Sequence, residues 1–281
     1  LGLLSLITDG ASEVSMDAGV EKLRAALASF TGIHPVYPPG AFKGELRGYQ
    51  KLGLSWLRFL EEHGFGACLA DDMGLGKTVQ VIALLALRRG KAQSESKQRD
   101  TKQRDTKQRG AKPRARPPAL VVVPKSLIDN WRRELERFAP WLGVRVHHGL
   151  DRGAPSQSFA GHDVVITTYA TLSRDIAEIR ELELDSVVLD EAQAIKNAAS
   201  VTAKAVHLLR APHRVALSGT PIENHLGELW SLFEFLNPGL FSANAALSAV
   251  FGRKGAGAGS LLTPTPEARD LVRRAVRPFI L

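Results

Sequence analysis

The sequence is short of two features that would place it in particular protein classes: cysteine and long apolar runs. Its 281 residues contain one cysteine, Cys68, which excludes an internal disulfide and a cysteine-based metal site. The longest largely apolar stretch, residues 79–87, ends before Arg88 and is too short for a membrane span, which needs about 20 residues. With 44% hydrophobic residues, the composition predicts a soluble globular chain for a reducing cytosol.

The start of the chain lacks both an initial methionine and a basic signal segment. We therefore expect it to be cut from a longer protein. Residues 1–44 are predicted to be the tail of an upstream region, with one helix at about 17–30 and then a proline-rich connector.

The net charge of +8 is concentrated in one polar segment. Positions 88 to 116 hold twelve Lys or Arg residues and three acids, an excess larger than that of the whole chain. Because the segment has few apolar residues to offset the entropy of ordering, we predict a basic disordered insertion at residues 91–118. It would either add non-specific attraction to phosphates or be a solvated insertion without a role.

A glycine-containing turn joins an apolar stretch, residues 65–70, to a helical one, residues 79–87: Asp71-Asp72-Met73-Gly74-Leu75-Gly76-Lys77-Thr78. Gly74 and Gly76 leave room for a phosphate beside main-chain amides at a helix start. Lys77 would reach the outer phosphates and Thr78 would bind Mg²⁺. Alone, the turn is equally typical of an ordinary strand–helix connection.

Two acids follow the apolar run Val187-Val188-Leu189. Such a run is typical of a buried parallel strand, and open α/β sheets bind ligands at the carboxyl ends of their strands. Asp190 would hold Mg²⁺, and Glu191 would orient or deprotonate the attacking water. The alternative, a solvated acidic pair at a helix start, weakens once the glycine turn is considered. The two motifs together predict a site for a nucleoside triphosphate.

Apolar, β-branched stretches alternate with helical or polar ones along the chain. They predict strands at 65–70, 119–123, 163–168, 186–190 and 213–218. Helices are predicted near 46–60, at about 126–138 with Ser126 as N-cap, near 200–209, and at 226–236. The expected fold class is α/β, with a parallel sheet and helices on both faces.

Further motifs follow in a fixed order: Leu46-Arg47-Gly48-Tyr49-Gln50, Val122-Val123-Pro124-Lys125-Ser126-Leu127, Ile166-Thr167-Thr168-Tyr169, Asp190-Glu191-Ala192-Gln193 with Ile195-Lys196-Asn197, Leu217-Ser218-Gly219-Thr220-Pro221-Ile222-Glu223-Asn224 and Arg277-Pro278-Phe279-Ile280-Leu281. With the glycine turn they resemble the first RecA-like motor lobe of the Swi/Snf family, the superfamily-two P-loop ATPases that translocate on double-stranded DNA. The resemblance covers residues 45–281 and is nearest to the bacterial remodeler type. Gly48 departs from it, since the family usually has proline there.

The resemblance implies several roles for these residues. The nucleotide, ATP with Mg²⁺, would be bound by Arg47, Gln50, Asp72, Met73, Gly74, Leu75, Gly76, Lys77 and Thr78, with Gln50 reading the adenine edge. Lys77, Asp190, Glu191 and Gln193 would be catalytic. Ser218, Gly219 and Thr220 would sense the γ-phosphate and couple hydrolysis to movement of the lobes. Without the resemblance, Gln50 is more typical of an exposed helix residue than of a ligand contact, and Ser218–Thr220 are typical of a turn.

The resemblance also assigns DNA contacts to loops after the strands: Lys125, Ser126, Thr167, Thr168, Tyr169, Lys196 and Asn197. These residue types suit phosphates and contain no evident base-reading set; individually, each is also typical of a solvated loop or helix cap. The partners implied are double-stranded DNA, a second RecA-like lobe absent from this chain, and a displaced protein such as RNA polymerase, in a bacterial cytoplasm at the nucleoid, with no membrane.

Three functional alternatives stay open from the sequence. The first is the double-stranded-DNA translocase, with weak hydrolysis by the isolated lobe because arginines of a second lobe would be missing. The second is a superfamily-two RNA helicase, which would share the phosphate loop and the acidic pair. The third is a nucleotide-dependent binding switch without sustained turnover.

Overall fold

The computed structural model describes residues 32–72, 74–103, 116–219, 226–241 and 266–281. The helix predicted at 17–30, and the predicted site residues Met73 and Thr220, lie outside these ranges.

A six-stranded sheet forms the centre of the molecule. Its strands are β1 Ala67–Leu69, β2 Ala119–Val123, β3 Val144–His147, β4 Val164–Thr168, β5 Ser186–Leu189 and β6 Arg214–Leu217. Their order across the sheet is β1-β6-β5-β2-β4-β3, and every pairing is parallel. Since all strands run the same way, their carboxyl ends share one edge.

The helices of the described residues connect the strands. They are α1 Gly48–Glu62, α2 Lys77–Gln103, α3 Ile128–Phe138, α4 Pro155–Phe159, α5 Tyr169–Ile179, α6 Val201–His207, α7 Leu226–Leu236 and α8 Pro266–Val276. Short 3₁₀ turns lie at Lys125–Leu127, Leu150–Arg152, Ala192–Ile195 and Arg277–Phe279. None of the helices described combines the length and apolarity needed to cross a bilayer.

Two separate cores cover the two faces of the sheet, because successive side chains of a strand point to opposite faces. Val121 and Val123 of β2 pack into the core that includes residues of α1, α2 and α3. Leu120 and Val122, between them, pack into the core formed with α5, α6 and α7. The expected α/β fold, a parallel sheet with helices on both faces, is confirmed.

Three details depart from the sequence predictions. Strand β3 was not predicted, because its four residues hold only two valines and it pairs on one side only, with β4. Ser126 is not the N-cap of α3: a 3₁₀ turn, closed by the Leu127 N–H to Pro124 O bond of 2.9 Å, starts the winding earlier and makes Leu127 the cap.

The third departure concerns the segment predicted to be a disordered insertion. Helix α2 continues through residues 91–103. Lys, Gln, Glu, Arg and Ala are good helix formers, and extending an existing helix avoids the cost of a new nucleus. Residues 91–103 therefore need no apolar burial to be helical. The remaining residues up to 115 are not described.

Candidate nucleotide site at the carboxyl edge of the sheet

The glycine turn, the serine motif and the acidic pair follow three neighbouring strands, β1, β6 and β5. The main chain of Ser218, after β6, donates to Leu69 O at the end of β1, at 3.0 Å. On the other side Asp190 N, after β5, donates to Val122 O of β2 at 2.9 Å. Since adjacent strands lie about 4.8 Å apart, the fold brings these motifs to one edge of the sheet.

The glycine turn has a backbone conformation with positive φ at its two glycines. Gly74 and Gly76 have φ values of 86° and 75°, a region that costs other residues energy. A Cβ at Gly76 would also lie 2.5 Å from Gln50 Nε2. Lys77, the first residue of α2, donates from Nζ to Asp71 O at 2.6 Å and Asp72 O at 3.0 Å. The lysine ammonium therefore lies against the turn that precedes it.

Helix α1 is tied to this turn by Gln50 and Tyr49. Gln50 Oε1 accepts from Arg47 N at 2.9 Å, and its Nε2 donates to Leu75 O at 3.1 Å. Tyr49 OH donates to the same carbonyl at 3.0 Å. The amide that the resemblance assigned to adenine reading is thus bonded at both ends within the protein, and Gln50 is buried. In this structure it connects α1 to the phosphate turn.

Asp190 is buried and both of its carboxylate oxygens accept a hydrogen bond. Trp131 Nε1 of α3 donates to Oδ2 at 2.7 Å, and Glu191 N donates to Oδ1 at 2.9 Å. The Tyr169 hydroxyl donates a hydrogen bond to the main-chain oxygen of Asp190 at 2.8 Å. Burial raises the pKa of Asp190 above its usual value, and these N–H donors and the positive charge of Lys77 only partly oppose the rise.

The charge of Lys77 also acts on Cys68, in the middle of β1. Burial raises the pKa of the Cys68 thiol to about 12, with Lys77 opposing the rise. Cys68 is thus a neutral core residue. Lys77 thus lowers the pKa of both Cys68, in β1, and Asp190, after β5, against the larger effect of burial.

Glu191 is held in a left-handed conformation. Its φ is 51° and its ψ is 57°. Within the described part of the chain, every other residue with a positive φ is a glycine. Gln193 Nε2 donates to Glu191 Oε2 at 2.5 Å, whereas Gln193 Oε1 is buried and has no hydrogen-bond partner among the described residues. Strained backbone of this kind is concentrated at functional sites.

The residues assigned to coupling are described only in part. Ser218 is buried directly after β6, and Gly219 follows it in a bend, half-buried. Both lie at the carboxyl edge, beside the strands that carry the glycine turn and the acidic pair.

The residues assigned to DNA fall into two groups. Lys125 and Ser126 after β2, and Lys196 and Asn197 after β5, are exposed. The Lys196 side chain is 61% exposed, with its ammonium 3.7 Å from a carboxylate oxygen of Glu228. Because β2 and β5 are neighbours, these four residues lie at the same edge as the acidic pair.

The side chains of Thr167 and Thr168, at the end of β4, and of Tyr169, at the start of α5, are buried and bonded within the protein. Their assignment to DNA, which rests on the resemblance, stays a prediction. The hydroxyl of Thr167 donates to His147 O at 2.9 Å, and Thr168 caps α5 by accepting from Thr171 N at 3.1 Å. Tyr169 bonds the main chain of Asp190, and its pKa is raised by burial and by the nearby acidic pair. A β-strand ending in threonines does not reveal from sequence which way their hydroxyls are engaged.

Sequence reasoning missed Trp131 and Tyr49 as parts of the site. Trp131 is one of several apolar residues at helical spacing in IDNWRRELERF, a pattern that predicts a core contact and nothing about its N–H group. Tyr49 lies in the motif Leu46–Gln50, and the resemblance implied no role for it. Both contacts join distant segments of the chain, so no local pattern predicts them.

Comparisons with known proteins agree with this arrangement. The SNF2-related domain family model matches residues 49–280. The chain is 45% identical over 257 residues to YwqA of Bacillus subtilis, whose name assigns it provisionally to the ATP-dependent helicases and translocases; the match covers 88% of this chain and 24% of YwqA. It is 35% identical over 254 residues to the TATA-binding protein-associated factor mot1 of Schizosaccharomyces pombe, covering 86% of this chain and 12% of that protein.

Among solved structures, the Sulfolobus solfataricus SWI2/SNF2 ATPase core in complex with double-stranded DNA has a TM-score of 0.68 and 38% sequence identity. It covers 88% of this chain and 46% of that one. The present chain thus spans about a quarter or less of the two relatives named above. Because the family model covers most of the chain and the fold agrees, this chain belongs to the SNF2-related family of ATPase domains.

Proposed function

We propose that this chain is the first RecA-like lobe of an ATP-driven translocase on double-stranded DNA, of the bacterial remodeler type. The observation that supports the proposal is the order of the sheet, in which the turn with Lys77, after β1, and the pair Asp190 and Glu191, after β5, lie at the same carboxyl edge with β6 between them. Exposed polar residues lie at the same edge. A nucleotide site and a phosphate-binding surface so close together suit a motor that couples hydrolysis to grip on a polymer.

The residues present fit ATP with Mg²⁺. Gly74 and Gly76 shape a turn before the first residue of α2, where free N–H groups and the helix dipole favour phosphate, and Lys77 supplies positive charge. In the described residues no group of three or more His, Cys, Asp or Glu could hold a metal ion. Mg²⁺ is usually held by one or two carboxylates together with substrate phosphates, and Asp190 would supply the carboxylate here.

Each residue then has a chemical task. Asp190 and Thr78 would hold Mg²⁺, which when bound neutralises phosphate charge. Glu191 orients or deprotonates the attacking water. Gln193 is bonded to Glu191 and would connect that acid, through bound nucleotide, to Ser218 and its neighbours, which would pass the state of the γ-phosphate to the second lobe.

On the nucleic-acid side, Lys125, Ser126, Lys196 and Asn197 would contact the phosphate backbone. An ammonium, a hydroxyl and an amide carry no sequence information when they bind phosphates, so movement along DNA would be independent of sequence. The similar Sulfolobus structure, described as a complex with double-stranded DNA, supports this choice of polymer. The protein moved would be DNA-bound, with RNA polymerase as one candidate, in the bacterial cytoplasm.

The proposal is tested on a longer protein that contains this chain and a second lobe. We expect the ATPase rate to rise with duplex DNA and to depend on duplex length, because a translocating motor spends more time on a longer track. A rate stimulated only by single-stranded RNA would instead identify an RNA helicase. A rate independent of any polymer would refute the motor.

A pair of variants separates a motor from a binding switch. Glu191→Gln should abolish turnover while nucleotide binding persists, whereas Glu178→Gln, at an exposed position of α5, should leave turnover unchanged. If ATP-dependent grip on DNA needs no hydrolysis and protein displacement survives Glu191→Gln, the switch is correct. Residues 1–281 alone should hydrolyse ATP about 10³ to 10⁵ times more slowly than the two-lobe protein, the usual contribution of an arginine finger.

A further inference from the structure

We propose that Trp131 is a positioning residue whose indole N–H orients the Asp190 carboxylate for the metal ion. The inference rests on the proposed function, since it assigns the metal to Asp190. It adds a residue from α3 to a site otherwise built from the turns that follow strands.

The geometry singles out this contact. Trp131 is fully buried, and its Nε1 donates to Asp190 Oδ2 at 2.7 Å. An indole can only donate, so the contact fixes one oxygen as an acceptor. The other oxygen accepts from Glu191 N at 2.9 Å. With one donor on each oxygen, the plane of the carboxylate is fixed, and each oxygen keeps a further lone pair.

The two donors differ in origin. The Glu191 N–H belongs to the residue next to Asp190 and is set by the local backbone. Trp131 is 59 residues away in sequence and is held by the core on the α3 side of the sheet. The orientation of the carboxylate therefore depends on the packing of α3, whose first turn contains Trp131 and follows the Lys125–Leu127 turn.

A second tryptophan shows that burial here does not by itself require an indole partner. The Nε1 atom of Trp141 is buried and has no hydrogen-bond partner among the described residues. Its side chain packs against the same core as Trp131. Trp141→Phe is thus a matched control: it removes an indole and its N–H from the same core without touching Asp190.

The experiment measures metal-dependent nucleotide binding. Calorimetry gives the affinity of the purified chain for ADP in Mg²⁺ and in EDTA, and the ratio is the magnesium gain. Trp131→Phe should lower this gain about 10- to 100-fold, the usual cost of losing a hydrogen bond that orients a metal ligand. The affinity in EDTA should stay within about twofold of the wild type, because the phosphate turn is intact. Trp141→Phe should change neither quantity.

A second replacement distinguishes the loss of the N–H group from a general packing defect. Benzothienylalanine at position 131 keeps the bicyclic shape and lacks the N–H group, so it should lower the magnesium gain as Trp131→Phe does. In an Asp190→Asn background, Trp131→Phe should cause no further loss, because the carboxylate through which it acts is gone.

The results separate two kinds of failure. If the wild-type chain shows no magnesium gain, the proposed metal site is wrong, and the role of Trp131 with it. If the wild type shows the gain and the benzothienylalanine protein keeps it in full, the nucleotide site stands and Trp131 is only a packing residue. A further loss on Trp131→Phe in the Asp190→Asn background would also overturn the positioning role.

Discussion

Glu191 gives a direct test of backbone strain at the candidate site. Its left-handed conformation, with φ of 51°, is one that glycine adopts freely and other residues adopt at a cost. The informative perturbation is the pair Glu191→Ala and Glu191→Gly. Both remove the carboxylate and the bond from Gln193, so the difference between them reports only the backbone.

The expected size follows from two opposing effects. A left-handed conformation costs a residue with a Cβ about 1–2 kcal/mol, which Glu191→Ala keeps and Glu191→Gly removes. Glycine in turn gives the unfolded chain more freedom, which lowers the free energy of unfolding by about 0.4–1 kcal/mol relative to alanine. The glycine variant should therefore be more stable than the alanine variant by about 1 kcal/mol.

Urea and thermal unfolding measure this difference. For a domain of this size, a difference of about 1 kcal/mol corresponds to about 2–4 °C in Tm. Arg174, exposed in the middle of α5, is the matched control. There the order should reverse, with Arg174→Ala more stable than Arg174→Gly, because glycine weakens a helix interior.

An alanine variant at position 191 that equals or exceeds the glycine variant in stability would refute the reasoning. It would mean that the main chain at this position is not left-handed in solution. Both variants should lose the proposed hydrolysis equally, since neither has a carboxylate. The two variants at position 191 should therefore differ in stability and not in activity.

Two further predictions concern the opposite, amino-terminal edge of the sheet. Gly66→Ala should lower the free energy of unfolding by about 1–3 kcal/mol in urea, because the new Cβ would lie 2.4 Å from the main-chain oxygen of the last residue of α7. Gly48→Ala, where a Cβ meets nothing within 4 Å, should cost far less. Arg88→Met should cost about 3 kcal/mol, because it removes the guanidinium that the buried Glu61 and the partly buried Asp185 share and leaves Glu61 with the guanidinium of Arg58 alone. Burial acts to raise the pKa of Asp185, but the hydrogen bonds and charge of Arg88 outweigh it and lower that pKa. The resulting stability is therefore present above the unfolded-state pKa of Asp185 and is lost as the pH falls through its folded-state pKa. Urea unfolding from neutral to acid pH should show a smaller loss of stability for Arg88→Met than for the wild type.

The sequence predicted the buried elements of the fold well. Strands β2, β4, β5 and β6 lie within one residue of their predicted bounds at each end, and α7 agrees at both. A parallel strand buried on both faces is a continuous apolar run, which stands out in any context. Strand β3 has no such run, because half of its residues are polar and the edge position requires only one paired side.

The candidate site was predictable only where its residues follow strands. Lys77, Asp190 and Glu191 come directly after or near apolar runs, and the parallel arrangement of those runs places them at one edge of the sheet. The hydrogen-bond partners of the side chains were not predictable. Thr167 and Trp131 bond partners 20 and 59 residues away, so their contacts depend on the packing of whole elements.

Strand β5 carries an aspartate beside each end, and their environments push the two pKa values in opposite directions. Burial acts to raise both. At the amino end, Arg88 binds Asp185 through two nitrogens at 2.8 Å and lowers its pKa. At the carboxyl end, Asp190 accepts from the neutral donors Trp131 and Glu191, and its pKa is raised.

A carboxylate with a bound guanidinium has its charge compensated within the fold, whereas Asp190 has no salt bridge among the described residues. The Asp190 carboxylate is oriented by donors that carry no charge, and the positive charge of Lys77 only partly opposes the rise of its pKa; in the proposed function, Mg²⁺ would supply further positive charge. Groups whose environments separate their pKa values in this way tend to divide structural from functional roles. The same strand thus anchors the fold at one end and, in the proposed function, offers a metal ligand at the other.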